Sequence, residues 1–116
     1  EIARMKSFIE SDLAARIAAS EAVYKEKRFN LLTSKEGNQV IVRGIIDCFF
    51  EEEGELVLLD YKTGNRRDVA TGNIEAIRER YSLQMQLYKE ALENASGKKV
   101  KEIYLYLTDA GELIKL

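Results

Sequence analysis

The stretch "IIDCFFEEEGELVLLDYKTG", Ile45 to Gly64, decides how the rest of the chain is read. Two apolar runs rich in Val, Ile, Leu and Phe flank a polar segment ending in Gly54, the pattern of a β-hairpin. Each run carries an aspartate where a core residue is expected, Asp47 in the first and Asp60 in the second, and Lys62 follows two positions after Asp60. A two-residue turn at Glu53-Gly54, with the glycine taking a positive φ, places Asp47 directly across from Asp60. A four-residue turn, Glu51–Gly54, makes them diagonal neighbours on one face, and a three-residue turn puts them on opposite faces. Side chains alternate along a strand, so Lys62 shares the face of Asp60 in every case.

Opposed strand residues have Cα atoms about 4.5–5.5 Å apart. Two carboxylates at that range repel each other, and a proton, a basic neighbour or a divalent cation has to neutralise them. One lysine does not balance two acids. Mg²⁺ takes oxygen ligands and is commonly held by one or two carboxylates with waters and substrate phosphates. Either aspartate alone reads more naturally as a solvated strand end. The context argues otherwise: "LVLLD" is apolar at successive positions, so both faces of its strand are covered, and Asp60 is the first polar residue on the Leu56–Leu58 face.

Upstream, Ile2, Met5, Phe8, Ile9, Leu13, Ile17 and Ala18 recur mostly at three- and four-residue steps, an amphipathic helix over Ile2–Val23 with a possible break and cap at Ser11-Asp12. Val23–Thr33 and Gln39–Phe50 read as strands joined by the turn "SKEGN", and Glu55–Thr63 as a third. Gly64–Asn73 reads as a loop with Asn73 as a helix cap. Ile74–Ser96 is a long helix closed by Gly97, followed by the strand Val100–Thr108, the turn "DAG" and a last strand, Glu112–Leu116. The expected class is α/β (α+β), a mixed sheet flanked by helices in the order α-β-β-β-α-β-β.

On the long helix the apolar stripe Ile74, Ile77, Tyr81, Tyr88, Ala91, Leu92 and Ala95 contains Gln84, one turn before Tyr88. A glutamine on a buried face needs partners for its amide. Gln84 alone reads as bonded to nearby backbone and Tyr88 alone as a core aromatic; packed over Asp47, Asp60 and Lys62 they can aim polar groups at one substrate. Gln86 lies off this face. Arg66, Arg67, Arg78 and Arg80 cluster near the loop, more naturally a solvated surface than a phosphate site. Cys48 points away from the Asp47 side and reads as a small core residue.

The bulk composition narrows the chemistry. The chain has 116 residues, enough for one core, with 46% apolar and 33% charged residues and a net charge of −2. That charge gives no global field for nucleic acid, but an enzyme whose metal supplies local positive charge remains open. The absence of histidine removes the usual general base and every His-containing zinc site. One cysteine allows no internal disulfide and fits a reducing compartment. No run is apolar enough to cross a bilayer, and no secretory leader is visible. The opening at Glu1, inside a helical pattern, suggests a piece of a longer protein.

"GIID" at 44–47, "LVLLDYKTG" at 56–64 and "YSLQMQLYKEAL" at 81–92 together resemble the motifs of the PD-(D/E)XK nuclease superfamily, nearest its RecB-like branch and the C-terminal nuclease domains of AddA-type bacterial helicase–nucleases. The segment "ESDLAARIAASEAVYKEKRF" at 10–29 is similar to what precedes the site in those proteins. The resemblance implies a restriction-endonuclease-like core. Asp47 and Asp60 would be metal ligands, joined by the backbone carbonyl of Tyr61, with Lys62 as catalytic lysine and Gln84 and Tyr88 as the Gln-x-x-x-Tyr pair. Glu26 matches an acid often found before a phenylalanine there. It further implies Mg²⁺, with Mn²⁺ as substitute, DNA as substrate, an AddB-like partner protein and a bacterial cytoplasm, with residues 1–116 a single nuclease domain of a larger helicase–nuclease in break repair and recombination. Members usually carry a histidine in an upstream helix, which this chain lacks, and the paired cysteines of iron–sulfur versions are also missing. The competing expectation is a catalytically silent DNA-binding or scaffold domain.

Overall fold

A computed structural model describes residues 12–116. Five strands, β1 (Val23–Lys35), β2 (Asn38–Glu52), β3 (Glu55–Lys62), β4 (Val100–Leu107) and β5 (Glu112–Lys115), form one sheet in sequence order. Only β3 and β4 run parallel. Parallel neighbours need a crossover, and it is made by the short helix α2 (Arg66–Ala70) and the long helix α3 (Ile74–Ser96), while α1 (Asp12–Ala19) precedes the sheet. The expected order holds, with α2 as an addition inside the stretch read as a loop. None of the residues of "RRDVA" is buried, so α2 has no apolar period to betray it.

The helix expected over Ile2–Val23 lies partly outside the described residues, as does Ser11 of the expected cap. Its described part stops at Ala19, and Val23 already belongs to β1. Ser20 turns the chain: its hydroxyl bonds the Glu51 carbonyl at 2.6 Å and accepts the Ala22 N–H at 3.2 Å. The bounds of α3 are those expected. Gly97 ends it at φ 71°, returning its N–H to the Glu93 carbonyl at 2.9 Å. Asn73 stands at the cap position, but its side chain makes no capping hydrogen bond. Met85, absent from the expected stripe, is buried on α3, whereas Ala95 is exposed.

The sheet buries both faces. Toward α3 lie Ile46, Phe49, Leu56, Leu58, Leu105 and Leu107 with Ile77, Met85 and Leu92 of the helix. Beneath α1 lie Cys48, Phe50, Val57, Leu59 and Tyr106 with Leu13. Cys48 is therefore the small core residue expected. The Arg16 guanidinium of α1 forks onto Glu52 at 2.9 and 2.8 Å and also pairs with Glu102, which holds both carboxyls down at about 2.

The β2–β3 hairpin settles the register. Glu53 and Gly54 have φ of 55° and 79°, both positive, the backbone of a two-residue turn. Glu52 pairs with Glu55 and Cys48 with Leu59, so continuing the register sets Asp47 opposite Asp60.

Along β1 and β2 the alternation of faces changes phase once. Tyr24 stacks on Phe49, and Phe29 packs edge-on against Tyr88 of α3, although Phe29 stands an odd number of positions after Tyr24. On β2, Phe49 and Ile46 likewise share one cluster. The change falls at Glu26 and Asp47, the one level skipped in the β1–β2 ladder, where Glu26 has φ 52°. Beyond it, Gly44 lies under the aromatic pair: a Cβ there would meet the Phe29 ring at 2.8 Å and the Tyr88 ring at 3.2 Å. Gly44→Ala is expected to destabilise the fold by about 1–3 kcal/mol through overpacking. A urea midpoint equal to that of the wild type would contradict this packing.

Candidate functional site

Three strands meet where the site lies. The β2–β3 ladder ends at Cys48–Leu59, after which β3 continues along β4 as far as Lys62–Leu107, while β2 departs with β1. Asp47 and Asp60 stand at this fork. Asp47 replaces the missing ladder: its Oδ2 accepts the Tyr61 N–H at 2.9 Å. The N–H and C=O of one strand residue point to the same edge, so the Tyr61 carbonyl also faces the gap. The residues after β3 are anchored by the β4–β5 turn, where the Thr108 N–H bonds the Lys62 carbonyl at 2.9 Å and Asp109 Oδ2 accepts the Gly64 N–H at 2.9 Å.

Asp60 is 3% exposed, an acid set in a row of buried leucines. Lys62 Nζ lies 2.8 Å from its Oδ2, yet this oxygen has no aligned hydrogen-bond donor among the described residues. The same ammonium donates to Gln84 Oε1 at 2.7 Å, and the Gln84 amide donates to the Tyr88 hydroxyl at 3.1 Å. Asp47, Asp60, Lys62, Gln84 and Tyr88 thus lie in one connected group, with α3 supplying its roof. Glu26 stands across from Asp47 on the β1 side, exposed, and the two line one open cleft of about 450 Å³ with Arg28 and Ile45.

The sequence reading missed the seat of the lysine. The ammonium of Lys62 sits 4.9 Å from the centre of the Tyr81 ring, a cation–π contact. Asn65 is 1% exposed and donates to the Tyr81 hydroxyl at 3.0 Å and to the Thr63 carbonyl at 2.9 Å. Arg80 bonds Asn65 Oδ1 and pairs with Asp68 at 2.7 Å. Arg78 pairs with Glu75, whereas Arg66 and Arg67 are exposed, so the four arginines do not act as one group. The only signal for Asn65 was its place just after "DYKTG", which composition does not distinguish from any loop asparagine.

Burial first, and then the facing Asp47 carboxyl, push Asp60 up to about 6, against the pull of Lys62. A raised carboxyl pKa means that the folded state holds the proton more tightly than the unfolded chain, where aspartate titrates near about 4. The stability this confers is full below about 4 and is lost as pH rises through about 6. The metal-free protein is therefore expected to melt at a lower temperature at pH 7.5 than at pH 5, with added Mg²⁺ offsetting the loss at the higher pH only. A rising melting temperature across that window without ion would contradict it.

The donors at the fork fit a hard divalent cation. They are all oxygens, one is a buried carboxylate oxygen without an aligned donor, and the two acids repel unless a positive charge lies between them. Among the described residues no three acidic or cysteine side chains converge, so the remaining coordination positions fall to main-chain oxygen, water or substrate.

Asp47, then Asp60-x-Lys62 on the strand pair, then Gln84-x-x-x-Tyr88 on α3, gathered at this fork, is the motif order on which the sequence resemblance rests. A sequence profile of the PD-(D/E)XK nuclease superfamily matches residues 2–115, and the chain belongs to that superfamily. It is 44% identical over 125 residues to the A subunit of the ATP-dependent helicase/nuclease of a Thermoanaerobacter species, an alignment that covers 98% of this chain and 10% of that protein. The corresponding helicase/nuclease proteins of Acetivibrio thermocellus and Ruminiclostridium cellulolyticum are 39% and 35% identical, over 98% and 100% of the chain and again 10% of their own length. The chain thus spans about one tenth of the relatives it matches. No helix among the described residues is long and apolar enough to cross a membrane.

Proposed function

We propose that this chain hydrolyses phosphodiester bonds of DNA with Mg²⁺, for which Mn²⁺ can substitute, as the nuclease domain of a helicase–nuclease. The observation that carries the reading is the convergence at the fork: Asp60 beside Lys62 at 2.8 Å, Lys62 on Gln84 at 2.7 Å, and Asp47 holding the Tyr61 amide at 2.9 Å. Asp47, Asp60 and the Tyr61 carbonyl would hold the ion, which when bound supplies Lewis acidity and a water of lowered pKa. Lys62 is a fixed cation, held from two sides by Gln84 and the Tyr81 ring, and stabilises the charge that develops on the phosphoryl oxygens. Tyr88 holds the Gln84 amide, so this pair orients the lysine and offers the substrate strand a hydroxyl.

Residues 1–116 form a single nuclease domain in this reading. The one-tenth span of the matched relatives supports a longer protein that supplies a helicase motor and engages an AddB-like partner. A buried single thiol, Cys48, agrees with a bacterial cytoplasm.

Lys62→Met keeps most of the length of the side chain and removes its charge. Cleavage of end-labelled DNA in Mg²⁺ is expected to fall by about 10²–10³-fold while the thermal shift caused by Mn²⁺ persists. Unchanged cleavage contradicts the role of Lys62. A wild type that binds DNA but shows neither a Mn²⁺ thermal shift nor turnover favours the catalytically silent alternative.

A further inference from the structure

The fork is continuous with a second feature that the catalytic reading does not use. Beyond Asp47, the outer face of the β1–β2 ribbon pairs Arg28 with Ile45 and Asn30 with Arg43. Two open clefts run along it and share Arg28 and Ile45. One, of about 450 Å³, is lined by Glu26, Arg28, Ile45 and Asp47; the other, of about 500 Å³, by Arg28, Phe29, Asn30, Arg43, Gly44 and Ile45. Together they form one trough that starts at Asp47 and leads away from it.

We infer that this trough carries the single nucleic-acid strand that leads to the catalytic fork, with successive phosphates on Arg28 and Arg43. The inference rests on the nuclease reading for its substrate class. Its carrying observation is the spacing. Arg28 stands level with Ile45 and Arg43 two residues further, so Asp47, Arg28 and Arg43 mark rungs two residues apart, each step about 7 Å along the ribbon. An extended nucleic-acid backbone repeats its charge on a similar scale.

Electrostatics support the same occupant. Arg16, Arg78 and Arg80 are each committed to a carboxylate. Arg28 and Arg43 have no carboxylate within ion-pair distance among the described residues; the other arginines so placed, Arg66 and Arg67, lie on α2 and not on the ribbon. Guanidinium is the group suited to phosphate recognition. Glu26, in the proximal cleft, bars a bare phosphate from the first rung, so the anion sites begin at Arg28. Ile45, 47% exposed between the two arginines, offers apolar surface to a sugar or base. Its lining cations are Arg28 and Arg43 alone, one for each of two successive phosphates, which matches one backbone rather than the two of a duplex.

The test measures binding of a fluorescent twelve-nucleotide single-stranded DNA by anisotropy in EDTA, across a salt series. The double variant Arg28→Ala/Arg43→Ala is expected to bind at least tenfold more weakly, with a log–log salt slope reduced by about 1.4, since each phosphate contact on a single strand contributes about 0.7. The variant Lys98→Ala/Lys101→Ala makes the same change in net charge near the Glu51–Glu53 end of the sheet and should bind as the wild type does. The proposal is overturned if the two double variants weaken equally, if neither changes affinity, if the wild type does not bind the strand, or if it prefers a duplex of equal length. Failure of the catalytic reading is read separately. It would appear as a wild type without a Mn²⁺ thermal shift or turnover, whereas the arginine variant should keep the full Mn²⁺ shift.

Discussion

Asp60→Asn is expected to make the metal-free protein more stable and the Mg²⁺-loaded protein inactive. Asp60 is nearly fully buried, and its carboxyl is held up at about 6 chiefly by burial. Keeping it ionised at pH 7.5 costs the fold about 1–3 kcal/mol, since one pKa unit corresponds to about 1.4 kcal/mol. The amide removes that cost and the repulsion with Asp47, so the apo melting temperature should rise. In the proposed reading the same change also takes away a charged ligand of the ion, with which would go several kcal/mol of Lewis-acid stabilisation, a loss of about 10³-fold or more in cleavage. A purely structural aspartate predicts the reverse pair of results: lower stability, because its ion pair with Lys62 at 2.8 Å is broken, and undisturbed cleavage. Calorimetry in EDTA beside a cleavage assay separates the two.

Phe50→Ala should be the most damaging core substitution of moderate size. Phe50 is fully buried beneath α1 with Leu13, Val57 and Leu59, and Arg16 lies 6.0 Å from its ring centre. Truncation forfeits transfer free energy and leaves a cavity, about 3–5 kcal/mol together. Against a typical domain stability of about 5–15 kcal/mol, that removes a large share. Leu83→Ala, at an exposed position of α3, should stay within about 0.5 kcal/mol. Similar urea midpoints for the two variants would mean that α1 does not cover this face of the sheet.

The hairpin and α3 were legible in the sequence because local chemistry specifies them. The Glu53-Gly54 turn sets the register that brings Asp47 opposite Asp60, and Gly97 ends α3 where a left-handed residue is required. Lys62, Gln84 and Tyr88 converge as spacing on a strand and a helix suggested. Other features depend on contacts distant in sequence. The phase change at Glu26 uses a positive φ in a residue type that does not advertise it, where glycine or asparagine would. Asn65 and Tyr81 matter only because α3 folds back over the loop after β3. The five-residue α2 buries nothing and leaves no pattern. Met85 escaped the expected stripe because that stripe was drawn through Gln84 and Tyr88, whereas the helix face against the sheet is broad enough to hold Met85 beside Ile77 and Leu92, which the stripe already contained.

Anomalous scattering from crystals soaked in Mn²⁺ probes the two-aspartate fork most directly. The expected result is a peak bonded to oxygens of both Asp47 and Asp60, near the Tyr61 carbonyl, at metal–oxygen distances close to those of Mg²⁺, about 2.0–2.1 Å. A saturated crystal with its manganese elsewhere, or bound to only one of the two acids, would contradict the shared ion site on which the hydrolytic account stands.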